Sequence, residues 1–376
     1  MVKQGFNGTE DQDRMSSVRL RDQRKKRVVT SVLIGLILAC ILFLIPLPYY
    51  IYKPGSAEEI KPMVVLHDKS QTTEEKGTFM LTTVRAETAR LATYLVALVH
   101  PYQELGLKES AYQPGESQSE YTQRQVYVMR SSQSDAIQAA YKHAQIPYHI
   151  SGDGVMVLRF VEGTLAASVL QTGDIITKLD DTSISSTDEL RQHLSTKKPG
   201  DSVNITYKRG NETLTSELKL SALKDTNGKE TGQVGLGIMN PADLQSIRPE
   251  DESKEIEVNV GDIGGPSAGL MFSLEIYNQL VPEDITKGYR IAGTGTINPE
   301  GAVGAIGGIQ HKIIAADREH AEIFFAPADY TTEQGYKYTN YSDAAARAKQ
   351  IGTKMKIVPV HSMDEALQYL ASLPAK

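Results

Sequence analysis

Residues 28–52 carry no charged side chain, and this run limits the chain's architecture more than any other feature. About 20 mostly apolar residues suffice for a helix to cross ~30 Å of hydrocarbon. The run therefore predicts a single transmembrane helix over 28–50. Its N-terminal flank holds Arg19, Arg21, Arg24, Lys25, Lys26 and Arg27, while Lys53 and Lys61 on the far side stand beside Glu58 and Glu59. Cationic flanks stay in the cytoplasm, so residues 1–27 form a cytoplasmic tail and everything after Tyr52 lies outside the cell membrane. Tyr49, Tyr50 and Tyr52 suit the outer interfacial belt. Pro46-Leu47-Pro48-Tyr49-Tyr50 offers no small-residue cleavage site. Cys40 is followed by five bulky apolar residues, where a mature lipoprotein would turn polar.

The 376 residues leave room for two or three domains, and 40% apolar with 23% charged residues is an ordinary globular composition. A net charge of −6, spread along the chain, argues against nucleic acid as a partner. One cysteine permits no internal disulfide and no cysteine-type zinc site, and the eight histidines contain no H-E-x-x-H. No metal or cofactor is expected.

Residues 53–56 read as a linker, 77–84 as a strand, 87–99 as a helix, 102–121 as loop, 126–129 as a strand and 131–143 as a helix. A compact module spans 146–222. It contains a strand at 155–158, the turn and strand of Leu170-Gln171-Thr172-Gly173-Asp174-Ile175-Ile176, and a helix opened by the capping box Ser186-Thr187-Asp188-Glu189. A hairpin across Gly210-Asn211 closes the module. Its order, with L-x-x-G-D-x-I at the centre, resembles a PDZ domain of the bacterial secreted-protease type. The resemblance implies capture of peptide ends by strand addition at an open sheet edge. The matching loop and strand are Gly154, Val155, Met156 and Val157. Residues 225–232 form a polar hinge, and a last domain runs over 230–370.

In that domain a glycine-rich loop, Gly261 to Gly265, leads through Pro266 to Ser267, Ala268 and Gly269, and then to an apolar helical run. Small neighbours let a substrate backbone approach closely. Free N–H groups at a helix start can hold an oxyanion. Ser267 is also well placed to be a plain N-cap. Further on, Lys312 falls on a helical wheel beside Ile309, Ala315 and Ala316. A lysine against small apolar groups loses solvent, its pKa falls, and a neutral amine can serve a serine as base. Glu319, two turns along the same face, would oppose that shift.

Gly265-Pro266-Ser267-Ala268-Gly269, then Thr294-Gly295, then Gly307-Gly308-Ile309-Gln310-His311-Lys312 resemble the proteolytic domain of Lon proteases. That resemblance implies a Ser-Lys dyad, with Ser267 as nucleophile, Lys312 as base, and Thr294 hydrogen-bonded to the lysine amine. Gly265, Pro266 and Ala268 would form the oxyanion loop. Together with the membrane helix and the PDZ-like module, the chain resembles the Lon-like PDZ peptidases. The fold class implied is α+β. Residues 128–140 resemble the strand-to-helix stretch before the serine in Lon, so 53–145 would hold the first part of the protease domain, with the PDZ module inserted. Lon often has an acid directly before Gly-Pro-Ser; here Gly264 stands there, and Asp262 is the nearest acid. No G-x-x-x-x-G-K-[ST] is present, so ATP-independent action is expected.

The expected partners are peptides or unfolded proteins, membrane lipid around the transmembrane helix and, since Lon-type domains usually form rings, further copies of the chain. Two other functions fit parts of the pattern. Gly265-Pro266-Ser267-Ala268-Gly269 is also G-x-S-x-G, so an α/β-hydrolase esterase could use Asp343 and His361. A non-catalytic membrane PDZ receptor or chaperone is the other.

Overall fold

The computed structural model describes residues 8–68, 75–224, 230–261 and 263–376. Two compact units appear: Met1–Lys53 with Arg85–Ser110, and Pro54–Val84 with Ala111–Lys376.

In the first unit, helix α1 (Gly8–Leu44) contains Arg24–Leu44, a stretch of 21 residues long and apolar enough to cross a membrane. The helix ends six residues before the expected 50. Pro46 has no N–H to donate, and it disfavours helical backbone at Ile45. The chain turns instead into the strand Pro46–Glu59, which takes up Tyr49, Tyr50, Tyr52 and the supposed linker 53–56. Tyr49–Tyr52 pair antiparallel with Leu107–Glu104, so the presumed loop after 102 begins as a strand. The strand Thr78–Arg90 runs directly into helix α2 (Leu91–Ala97), which shortens the helix expected over 87–99 from its front.

The second unit holds a parallel array in the order Lys356–Val360, Ile323–Pro327, Arg290–Gly293 and the start of Thr78–Arg90. Successive side chains on a strand face opposite ways, and each face here has its own helices. Phe79, Leu81, Ile291 and Phe325 pack with α3 (Gln118–His143), α5 (Gly269–Leu280) and α8 (Met363–Ser372). Met80, Ala292 and Phe324 pack with α6 (Ile309–Arg318) and α7 (Asn340–Ile351). The strand expected at 126–129 lies within α3. A capping box starts that helix: Ser117 accepts from the Glu120 N–H, and Glu120 accepts from the Ser117 N–H.

A separate core gathers Val155, Ile176, Leu179, Leu190, Val203, Ile205, Leu218, Val234 and Leu236. Its sheet order is Glu212–Lys219, Ser202–Arg209, Ile175–Leu179, Tyr148–Met156, Ala242–Pro249. The expected hairpin forms across Gly210, at φ 57°. Ser186 caps α4 (Thr187–Leu194) by accepting from the Glu189 N–H, as expected. The return bond to Glu189 comes from the Ser185 N–H.

Core membership differs from the sequence-based divisions in two ways. Val234, Leu236 and Ile238 pack with the 155–220 core, so that core extends past 222 and past 230. Ile60, Phe79, Met129, Ala136 and Tyr141 share a core with α5 and α8, so the chain on both sides of the inserted sheet builds one body. Of the expected hinge, residues 225–229 lie outside the described residues, and Glu230–Gly235 is a strand paired with Ser221–Lys224.

Candidate active site

Ser267 and Lys312 meet at the carboxyl end of the parallel strands, the usual place for a site in such sheets. Thr294 directly follows the strand Arg290–Gly293, and the Thr82 hydroxyl donates to the Gly293 carbonyl at 3.0 Å. Ser267 precedes α5 on one face of the sheet, and Lys312 rises from α6 on the other. The sheet end is where the two faces can touch.

Ser267 does not cap α5. The N-cap is Ala268, with no side-chain bond, and Ser267 Oγ instead accepts from Lys312 Nζ at 3.0 Å. The lysine amine also donates to the Thr82 carbonyl at 2.5 Å. Lys312 is 3% exposed, and burial alone pushes its pKa down to about 7. Glu319 is an exposed residue at the C-terminal cap of α6 and contributes nothing to that shift. An amine that is about half neutral near pH 7 and bonded to a hydroxyl can accept the hydroxyl's proton as the oxygen attacks a carbonyl. The Thr82 carbonyl would then hold the ammonium that forms.

Thr294 is fully buried, but its hydroxyl does not reach the lysine as expected. It donates to the Ser267 carbonyl at 2.9 Å, which also accepts the Gly295 N–H at 2.8 Å. These bonds fix the serine's backbone and leave Oγ free for the amine. Ser132 on α3, which the sequence did not single out, donates to the Pro266 carbonyl at 3.0 Å.

The expected oxyanion loop also divides. The Gly265 N–H donates to the Gln125 carbonyl at 3.3 Å, and Pro266 has no N–H. The Leu270 N–H bonds the Gly295 carbonyl. Among the described residues, no acceptor takes the N–H of Ser267 or Ala268. Gly265 holds φ +89°, a backbone shape that favours glycine, and it turns the chain into the serine. Asp262 lies outside the described residues.

The esterase triad does not assemble. Asp343 accepts from the Thr339 hydroxyl and His361 pairs with Glu365, both on the protein surface. The edge expected at Gly154–Val157 is not open either. Val155 and Met156 pair with Ile176 and Ile175 on one side, and with Asp243 and Ala242 on the other. The Val157 N–H donates to the Asp174 carbonyl. A peptide could add there only by displacing the strand Ala242–Pro249. A cavity of about 600 Å³ lies apart from the Ser267–Lys312 pair, lined by Glu116, Arg124, Leu158, Arg159, Arg191 and Asp243 among others.

Comparison with known families gives two matches: a PDZ domain over residues 126–220, and the Lon protease (S16) C-terminal proteolytic domain over 223–372. The first match begins inside α3, and the second includes strands that pack on the PDZ core. Similar proteins include the serine protease Do-like HtrA of Lactococcus lactis subsp. lactis (strain IL1403), 38% identical over 88 residues, 23% of this chain and 21% of that protein. The Lon protease of Elusimicrobium minutum (strain Pei191) is 29% identical over 175 residues, 42% of this chain and 19% of that protein. The chain thus spans about a fifth of each of these relatives. The crystal structure of the PDZ domain of an SdrC-like protein from Listeria monocytogenes is 37% identical, covering 23% of this chain and 86% of that one, with a TM-score of 0.21. By its two family matches, the chain carries a PDZ domain and a proteolytic domain of the Lon (S16) type.

Proposed function

We propose that the chain is a membrane-anchored, ATP-independent serine endopeptidase with Ser267 as nucleophile and Lys312 as general base. It cuts exported peptides or exposed segments of membrane and secreted proteins outside the cytoplasmic membrane. The observation that carries this reading is the buried Lys312 amine, 3.0 Å from Ser267 Oγ, with its pKa brought down to about 7.

Ser267 Oγ attacks the peptide carbonyl while the amine takes its proton. The N–H groups of Ser267 and Ala268 face the developing oxyanion, and the lysine returns the proton to the leaving amine. Water, activated by the same lysine, then releases the acyl group. The basic residues from Arg19 to Arg27 and the apolar stretch that follows them in α1 support the anchor and its direction. The PDZ domain supplies substrate capture, at a place other than the 154–157 edge.

Peptide hydrolysis followed from pH 5 to 9 tests the chemistry. The rate should rise with pH through a midpoint near 7. Ser267→Ala and Lys312→Ala should each remove nearly all turnover, because neither half works alone. Lys312→Arg should fail as well, since a guanidinium stays protonated. Full activity in folded Lys312→Ala would overturn the dyad.

A further inference from the structure

Residues 91–99 read Leu-Ala-Thr-Tyr-Leu-Val-Ala-Leu-Val, nine positions without a charge. They form α2 and the two residues after it. Ala97 is buried, while Leu95, Val96, Leu98 and Val99 are 52%, 53%, 59% and 84% exposed. A surface segment in water seldom leaves four neighbouring large aliphatic side chains uncovered.

The same unit contains α1, whose apolar residues are exposed to a similar degree, Leu36 at 57% and Leu44 at 63%. Helix α2 packs against α1. The N-cap residue of α2, Arg90, donates its guanidinium to the carbonyl of Phe43 at 2.8 Å. Phe43 lies in the last turn of α1, so α2 starts at the level where a spanning α1 leaves the hydrocarbon. The exposed face of α2 therefore continues the apolar surface of α1.

Tyrosines gather at the same level. The Tyr94 ring of α2 lies 5.3 Å from that of Tyr49, and the rings of Tyr50 and Tyr52 are 6.2 Å apart. The Lys108 ammonium sits 5.2 Å over the Tyr50 ring. Tyrosines and the heads of long cationic side chains settle at the headgroup boundary. Nine residues cannot span a bilayer but can lie within one interface.

We propose that residues 91–99 form a second membrane contact, inserted shallowly into the outer leaflet beside α1. This rests on reading α1 as a bilayer span. A lone helix leaves its domain free to turn about the helix axis; a second contact at its side removes that freedom.

The test uses the full chain in phosphatidylcholine–phosphatidylglycerol nanodiscs. Cys40→Ser removes the one native thiol. Single nitroxides are then placed through Leu36→Cys, Val96→Cys, Val99→Cys and Tyr336→Cys. Tyr336, 70% exposed in the other unit, serves as the reference site. Collision rates with oxygen, which partitions into lipid, and with a nickel chelate, which stays in water, report depth. The oxygen-to-nickel ratio at 96 and 99 should exceed that at 336 severalfold and fall below that at 36. Ratios at 96 and 99 equal to that at 336, with 36 still deep, would overturn the second contact and leave the span standing. Shielding of 96 and 99 from both reagents would overturn it in favour of a protein cover, such as a second copy. A watery 36 would remove the span itself and the proposal with it.

Discussion

Holding Lys312 neutral has a thermodynamic cost that can be measured. Its pKa is about 7 when folded and 10.5 when free. Above about 10.5 the amine is neutral in both states and contributes nothing. As pH falls below that, the unfolded chain takes up a proton that the folded chain refuses. The penalty grows until about pH 7, where it reaches about 4 kcal/mol, and then levels off. Lys312→Met removes this penalty but leaves the Thr82 carbonyl and Ser267 Oγ without their donor, a loss of about 1–3 kcal/mol. The variant should therefore unfold at a higher denaturant concentration than the parent at pH 7, and at a lower one at pH 10.5. A variant less stable at both pH values would mean that the amine is not desolvated. Thr294→Val should slow turnover about tenfold, the loss of ~1.4 kcal/mol in positioning the serine. It should leave the pH midpoint unchanged, because the hydroxyl bonds the Ser267 carbonyl and not the amine. A shifted midpoint would instead assign Thr294 to the lysine. The small residues around Ser267 and the apolar helical stripe of Lys312 made each a candidate, but pairing them rested on the resemblance to Lon proteases; the structure brings the two side chains within 3.0 Å. Thr82 was not legible, because it acts through a backbone carbonyl that any residue would supply. Thr294 was legible as a participant, but the sequence could not say which of two acceptors its hydroxyl would reach.

At the level of elements, the serine is held by how closely α5 starts against its neighbours. A Cβ on Gly269 would lie 2.7 Å from Ser132 Oγ and 2.8 Å from Ile297 Cγ2. Gly269→Ala must push the first turn of α5 away from α3 and from the strand Thr296–Ile297. Overpacking of this kind costs about 1–3 kcal/mol. It moves Ser267 relative to Lys312, so both melting temperature and turnover should fall. Ser132→Ala should lower turnover with a smaller stability change, because it removes one bond, to the Pro266 carbonyl, without crowding. If Gly269→Ala melted and turned over like the parent, the close approach would not be what positions the serine. Elements with a local signal were legible: the hairpin across Gly210, the Ser186 cap and the helix after Gly269. Val126-Tyr127-Val128 suggested a strand from its branched and aromatic residues. The Ser117–Glu120 capping box and the burial of Met129 and Ala136 against α5 outweighed that local preference. The closed edge at Gly154–Val157 had no local signal, since its partner strand begins almost ninety residues later.

In the second unit the antiparallel ribbon Tyr148–Met156 with Ala242–Pro249 runs from one core to the other. Its outer half belongs with the PDZ core through Val155, and its inner half reaches the protease core through Ile247. Removing residues 146–222 would take away one strand of this ribbon and leave the other unpaired against α3. The register offers a cleaner cut. Gly152 stands opposite Gln245, and Ser151 opposite Ser246. Two facing residues of an antiparallel pair can be joined by a two-residue Asn-Gly turn. Replacing residues 153–244 with Asn-Gly should therefore close the ribbon as a hairpin. Tyr127 packs on Met156, Leu158, Ala242 and Leu244, all of which the cut removes, so Tyr127→Gln should accompany it. The shortened protein keeps α3, α5, α6 and the four parallel strands, and with them Ser132, Thr82, Ser267, Thr294 and Lys312. It should cleave a short unstructured peptide within about threefold of the parent rate, ~0.7 kcal/mol, with the same midpoint near pH 7. Its preference for protein substrates over short peptides should drop sharply, because capture is assigned to the part removed. Retention of that preference would place substrate selection in the protease core. Loss of the pH midpoint in a protein that still melts cooperatively would show that the PDZ core helps to bury the lysine, which the separate packing of the two cores argues against.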